Sequence, residues 1–281
     1  MADAYIVVLD IGADAVRALL FDSEAHRVEG YSAQLPRRAD AAADCLDEMH
    51  RLVSSAGFRV GAVAGRAENE VTAEDRKAWP AFEGAAWFPA LVEGAGVMLG
   101  SGCVDRERVS LVMGDASMVG MVFDRQVAVD GLTCVRIDEK RWMLSGPVPE
   151  AGFAYALFKR AIKGSVERYL ESAVEGDPLL VGLDSALLRF REIYERLAGH
   201  GPAPQVIACG GALLKSPTFA QRIADKVGAA LTLSTEPEPG CRGAALWALE
   251  RIGSIDDLRA LPASMGAVVE PKVMDKAVHA E

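Results

Sequence analysis

The feature that most constrains this chain is an internal repeat. Residues 7–22, VVLDIGADAVRALLFD, and residues 109–124, VSLVMGDASMVGMVFD, superpose at a constant offset of 102. Val7/Val109, Leu9/Leu111, Gly12/Gly114, Phe21/Phe123 and Asp22/Asp124 are identical under that offset. Each segment is an apolar run, a Gly-Ala-Asp or Gly-Asp-Ala turn and a second apolar run ending in Asp, which is the pattern of a β-hairpin. Two halves, each opened by a similar hairpin, follow as the expected architecture. The 281 residues allow one or two domains with ample core.

The spacing predicts further elements in the first half. A third strand is expected over His26–Ala33. A helix is expected from Asp40 to Ala56, with Cys45, Met49, Leu52, Val53 and Ala56 on one face and Gly57 as its stop. Phe58–Ala64 reads as a strand, whereas 65–85 is polar and without clear period. Residues 93–102, EGAGVMLGSG, are small and apolar and suit close packing between the halves.

In the second half, Gly131–Asp138 and Arg141–Leu144 read as short strands and 150–163 as a helix. Residues 182–198 place Leu183, Leu187, Phe190, Tyr194 and Leu197 on one helical stripe, with Gly199 beyond its end. Gln205–Cys209 is a buried strand. A helix follows, with Ser216 as N-cap, Pro217 at its first position and Gly228 at its close. Ala229–Ser234 and a helix from Gly240 to Ile252 complete the series. Strands alternating with helices mean an α/β fold.

Charge excludes several partners. The net charge is −10, and residues 1–100 carry 9 Lys+Arg against 16 Asp+Glu, so there is no basic footprint for nucleic acid. An anionic membrane surface is disfavoured for the same reason. No apolar run reaches the ~18 residues of a membrane helix, and the first residues lack a signal peptide's basic start. The five cysteines (45, 103, 134, 209 and 241) and four histidines are dispersed, without Cys-x-x-Cys spacing. A disulfide framework and a His/Cys metal site are therefore not expected, and the expected compartment is the reducing cytoplasm.

Three glycine-bearing segments could carry chemistry. Asp10-Ile11-Gly12 puts a carboxylate at a strand end beside a turn whose backbone N–H groups could approach a phosphate, the Asp holding hydrated Mg²⁺. The plain alternative is a turn glycine with a solvated Asp, and the frequency of glycine in turns favours it when the motif is taken alone. Gly210-Gly211-Ala212, between a buried strand and a helix, could seat a nucleotide on exposed backbone, or could serve tight strand–helix packing only. Gly240-Cys241-Arg242-Gly243-Ala244-Ala245 reads as a small-residue helix face that packs closely.

Taken together, these segments resemble the FGGY carbohydrate kinases, and within them the gluconate-kinase-like branch. DIGADAVRALLFD (10–22) resembles the family's first phosphate hairpin and LVMGDASMVGMVF (111–123) its second. WFPALVEGAGVMLGSGC (87–103) is similar to the segment bearing the catalytic Asp, ACGGALLKSPTFAQRIADKVGA (208–229) to the adenosine motif, and CRGAALWALERIG (241–253) to the closing helix. The resemblance implies a two-lobed, actin-like (ribonuclease-H-like) ATPase fold. It is expected as a reduced N-terminal lobe over 1–100 and a C-terminal lobe with the adenosine motif over 101–281. It also implies ATP with Mg²⁺ between the lobes and a sugar or sugar-acid substrate. By position, Asp10 would hold the metal, Gly12 and Gly114 the phosphates, Gly210, Gly211 and Ala212 the adenosine, and Glu93 would act as general base.

The chain departs from the family pattern at these positions. The family is longer, and most of its sugar-binding lobe is expected to be missing. Ala13 and Asp14 stand where the first hairpin usually offers Thr and Ser hydroxyls. Gly114-Asp115-Ala116-Ser117 replaces Gly-Thr-Ser-Gly, and Glu93 replaces the basic Asp. Displacing a catalytic group by ~1 Å can cost on the order of 10²-fold in rate. An unmatched like-charge pair at 4 Å costs ~4 kcal/mol at an effective dielectric of about 20, so Asp14 and Asp115 would oppose ATP's phosphates. An additional cation recruited by these acids would restore neutrality.

The expected function is a degenerate kinase homologue (a pseudokinase) that binds adenine nucleotide and phosphorylates sugar weakly or not at all. An active ATP-dependent transferase acting on a small sugar, polyol or sugar acid is the competing reading, and a structural or assembly protein is the third. A cleft left open by the reduced lobe would be covered by a second copy of the chain or by a protein partner.

Overall fold

The computed structural model describes residues 4–66, 68–92, 94–114, 117–152, 154, 156, 166–172, 174, 176–200, 202, 204–209 and 216–272. They form two compact units, one made of 1–102 with 237–263 and the other of 103–236 with 264–281.

The first unit is built on a five-stranded sheet. Its strands are β1 (Tyr5–Ile11), β2 (Ala15–Phe21), β3 (Arg27–Pro36), β4 (Val60–Ala64) and β5 (Ala86–Phe88), ordered β3-β2-β1-β4-β5. The β1–β2 and β2–β3 pairs are antiparallel, whereas β1–β4 and β4–β5 are parallel. Strand β1 is central, and Ile6–Leu9 are buried in succession, as a strand covered on both faces requires. On one face lies α1 (Ala41–Ala56), whose Cys45, Met49 and Val53 pack with Val7, Leu9 and Leu20. It closes at Gly57 in the left-handed conformation, φ 70°, as the sequence indicates.

The polar stretch 65–85 contains a short helix, α2 (Ala73–Ala78). A reciprocal Thr72–Asp75 capping box holds it, and none of its residues is buried. The absence of a buried stripe explains why no period was legible there.

A second pair of helices belongs to the same unit: α3 (Ala95–Gly100) and, last in chain order, α7 (Pro239–Arg251), which packs on α3, β1 and β4. The close packing expected of 93–102 is found against α7, which comes from the second half of the sequence and folds with the first unit. A Cβ on Gly100 would stand 1.8 Å from the Pro239 carbonyl oxygen, and one on Gly243 would stand 1.9 Å from that of Gly96. The backbones meet where only hydrogen atoms fit, so the glycines have the packing role the sequence suggested. Buried Arg242 fastens the crossing by donating to the carbonyls of Gly100 (2.8 Å), Leu261 (3.0 Å) and Pro262 (3.1 Å).

The second unit carries a seven-stranded sheet, ordered β12-β11-β10-β6-β7-β9-β8. Its strands are β6 (Arg108–Val112), β7 (Met118–Phe123), β8 (Thr133–Arg136), β9 (Trp142–Pro147), β10 (Gln205–Cys209), β11 (Leu231–Ser234) and β12 (Met265–Val269). Its helices are α4 (Val166–Ser172), α5 (Pro178–Ala198) and α6 (Pro217–Val227). Leu183, Leu187 and Phe190 of α5 and Phe219 and Ile223 of α6 share one core with Val109, Leu111 and Met121 of the sheet. Ser216 caps α6 by accepting from the Phe219 N–H, and Gly228 ends it at φ 75°, both as expected. The helix expected over 150–163 falls largely outside the described residues.

The repeat seen in the sequence is also a repeat of topology. The order β3-β2-β1-β4-β5 in the first sheet and β9-β7-β6-β10-β11 in the second have the same sequence of antiparallel, antiparallel, parallel and parallel ladders. The two hairpins that superpose at an offset of 102 occupy equivalent places in these sheets.

Candidate functional site

The β1–β2 hairpin organises the candidate site of the first unit. Its register pairs Asp10 directly with Arg17. Cross-strand partners of opposite charge attract, and here the contact is close. Arg17 donates from Nε (3.0 Å) and Nη2 (2.6 Å) to Oδ2 of Asp10, and from Nη1 to Oε1 of Glu238 (2.9 Å). Glu238 is the residue from which α7 starts, and the Arg27 guanidinium lies 4.0 Å from the same oxygen. Burial opposes the charge on Arg17, but its hydrogen bonds to Asp10 and Glu238 outweigh that and raise its pKa above the ordinary arginine value.

Beside this ion cluster is a cavity of about 320 Å³, lined by Asp10, Ile11, Leu91, Val97, Gly240 and Cys241 among others. Burial pushes the Cys241 thiol up to about 12, and the charge of Asp10 adds to the effect. Gly65, at φ +108°, lies in the same wall, where a Cβ would stand 2.2 Å from the Leu9 carbonyl oxygen. Val92 and Gly94 also line the cavity. Glu93, between them in sequence and expected as the general base, lies outside the described residues.

The turn itself is exposed at Ala13 and Asp14. The Gly12 N–H donates to the Ala15 carbonyl (2.9 Å), and the Gly12 carbonyl accepts from Nη1 of Arg37 (2.8 Å). The backbone N–H of Arg37 donates to the Asp14 carbonyl (3.0 Å), so the start of the β3–α1 connection braces the turn twice. In the second unit, the Gly114 N–H donates to Oγ of Ser117 (3.2 Å), and that hydroxyl donates back to the Gly114 carbonyl (2.7 Å). Both glycines expected to face phosphate thus use their N–H groups within their own turns. Asp115, Gly210, Gly211 and Ala212 lie outside the described residues.

Among the residues named from sequence, Asp10 and Gly12 share one hairpin, while Gly114 belongs to the other unit. Arg17, Glu238 and Arg37 were not singled out. The Asp10–Arg17 pair was available from hairpin register, whereas Glu238, 221 positions from Arg17, has no local signal.

The donor set fits a magnesium ion delivered with a nucleotide. Both contacts from Arg17 go to one oxygen of Asp10, leaving Oδ1 for a cation. Mg²⁺ commonly takes one or two carboxylates and completes its shell with water and phosphate. No group of three or more His, Cys, Asp or Glu residues able to hold a metal by themselves occurs among the described residues. No described helix is long and apolar enough to cross a membrane.

No family model matches the sequence, and no curated protein matches it. Solved structures do. The chain is similar to gluconate kinase from Lactobacillus acidophilus, with a TM-score of 0.72 at 12% identity, over 96% of this chain and 94% of that one. Xylulose kinase from Rhodospirillum rubrum gives a TM-score of 0.70 at 14% identity, over 96% of this chain and 94% of that one. Glycerol kinase from Plasmodium falciparum, solved with ADP, gives 0.68 at 9% identity, over 97% of this chain and 95% of that one. The similarity is one of fold, and the fold of this chain is the actin-like α/β fold of the carbohydrate kinases.

Proposed function

We propose that the chain binds adenine nucleotide and phosphorylates a sugar or sugar acid weakly or not at all. The observation that carries this reading is the first turn. Its two exposed residues, Ala13 and Asp14, present a methyl group and a carboxylate, and the Gly12 N–H is already bonded to Ala15. Phosphoryl transfer relies on positioning and on positive or donor groups around the phosphates. A turn with a negative side chain and no hydroxyl works against both. The nucleotide half of the reading is supported by the fold shared with sugar kinases, one of them solved with ADP.

Titration calorimetry with ATP, with and without Mg²⁺, tests it. Saturable binding with sugar turnover absent or slow is the expected result. No heat at millimolar ATP would overturn it and turn the search to a protein partner or a second copy of the chain.

The active-kinase reading is favoured by a different observation: among the described residues, one oxygen of Asp10 has no partner, in a cavity that Val92 and Gly94 also line. In that reading Asp10 holds Mg²⁺, Gly12 and Gly114 approach the phosphates, Gly210, Gly211 and Ala212 receive the adenosine, and Glu93 takes the proton from the sugar hydroxyl. Any turnover found in a screen of sugars, polyols and sugar acids should then vanish in Glu93→Gln while ATP binding persists.

A further inference from the structure

We infer that Arg37 is the phosphate-gripping side chain of the first turn, supplying the charge and donors that Ala13 and Asp14 lack, with a nucleoside di- or triphosphate as its ligand. This rests on the nucleotide-binding reading above and names the group that makes it work in this chain.

Arg37 sits on the turn. Its main-chain N–H donates to the Asp14 carbonyl (3.0 Å) and its Nη1 to the Gly12 carbonyl (2.8 Å), so the guanidinium is fixed on the backbone of the residues it would serve. A guanidinium carries five N–H donors in a planar fork. One is used here, and among the described residues no carboxylate or other acceptor takes the remainder. The side chain is exposed, and the donors left over are available to an incoming oxyanion.

Neighbouring arginines are differently committed. Arg38 is paired with Asp44, and Arg17 is held by Asp10 and Glu238. Arg37 is therefore the arginine at this turn whose charge no described carboxylate matches. A planar fork is suited to bidentate contact with phosphate oxygens.

The test is titration of ATP, ADP and adenosine against the full chain and its Arg37→Ala, Arg37→Gln, Arg37→Lys and Arg38→Ala variants. Arg37→Ala should weaken ATP and ADP by about tenfold or more, the usual scale for a hydrogen bond to a charged group, and leave adenosine unchanged. Arg37→Lys should recover part of the loss, and Arg38→Ala should bind as the parent does. Added salt should narrow the gap between parent and Arg37→Ala, because the contact is exposed.

A merely structural brace would leave the gap between parent and Arg37→Ala unchanged by salt, and that result overturns the inference, as does unchanged ATP affinity. Arg37→Gln keeps a polar amide while removing the charge, so it decides the matter if the alanine variant does not fold. Binding of ATP no tighter than adenosine by the parent chain would leave nucleotide binding standing and remove Arg37 from it. Binding of neither would remove both.

Discussion

Arg17 draws together a strand and the start of a helix 221 positions away, and its pairing determines how Asp10 can act. A cation reaching Asp10 shares the carboxylate with a guanidinium, so the electrostatics of this wall are set by four charged groups: Asp10, Arg17, Arg27 and Glu238. Asp14 stands outside that cluster and is the residue whose removal should help a phosphate. Asp14→Ser should tighten ATP binding, measured by calorimetry, and unchanged affinity would refute the electrostatic account of the turn.

Cys241 gives a prediction in pH. Its thiol, pushed up to about 12 by burial and by Asp10, stays protonated at pH 8. Alkylation of Cys241 in the native protein at pH 8, followed by peptide mass spectrometry, should be slower than for a free thiol of ordinary pKa by on the order of 10³-fold. The sign for stability follows. Above the unfolded thiol's ordinary value the unfolded chain loses a proton that the folded chain keeps, so this group's contribution falls as pH rises toward 12. At this scale the sequence exposed Asp10, Asp14 and their turn, because strand alternation and glycine are local signals. It could expose neither Glu238 nor the brace from Arg37, which arise from pairings made only in the folded chain.

Among the elements, the α3–α7 crossing has the least slack. Gly243→Ala would drive a methyl group into the Gly96 carbonyl, and Gly100→Ala into that of Pro239. Each should destabilise the protein by about 1–3 kcal/mol or more, the scale of overpacking, read as a lowered midpoint in denaturant unfolding. Gly182, exposed within α5 with nothing within 4 Å of an added Cβ, is the contrasting case. Gly182→Ala should stabilise by about 0.5–1 kcal/mol, since glycine is the costlier residue inside a helix. Helices with caps and apolar stripes were legible: Gly57 ends α1, and Ser216 with Pro217 opens α6. Helix α2 was not, because its order comes from the Thr72–Asp75 box and it buries no residue to produce a period.

For the molecule as a whole, the repeat was the most informative sequence feature, because two hairpins at one offset turned out to open two sheets with the same ladder order. What local patterns could not reveal is that 237–263 rejoins the first unit, since that depends on which backbones fit together at Gly96, Gly100 and Gly243. A ligand that binds the folded chain stabilises it by mass action, by about 2.7 kcal/mol at a hundredfold excess over Kd. ATP at saturating concentration should therefore raise the unfolding temperature in a scanning experiment, and adenosine, which has no phosphate for Arg37 to hold, should do so less.

The discontinuity of the first unit also dictates an order of events during synthesis. When residues 1–102 have left the ribosome, the strands of the first sheet and the α3 segment are out without α7, and the glycines that Gly243 and Arg242 will meet have no partner helix yet. The unit whose hairpin is made first is thus completed only after all of 103–236 has emerged. Nascent chains stalled before residue 237 should remain protease-sensitive around 95–100, with protection arriving once 237–263 is available to close the helix crossing.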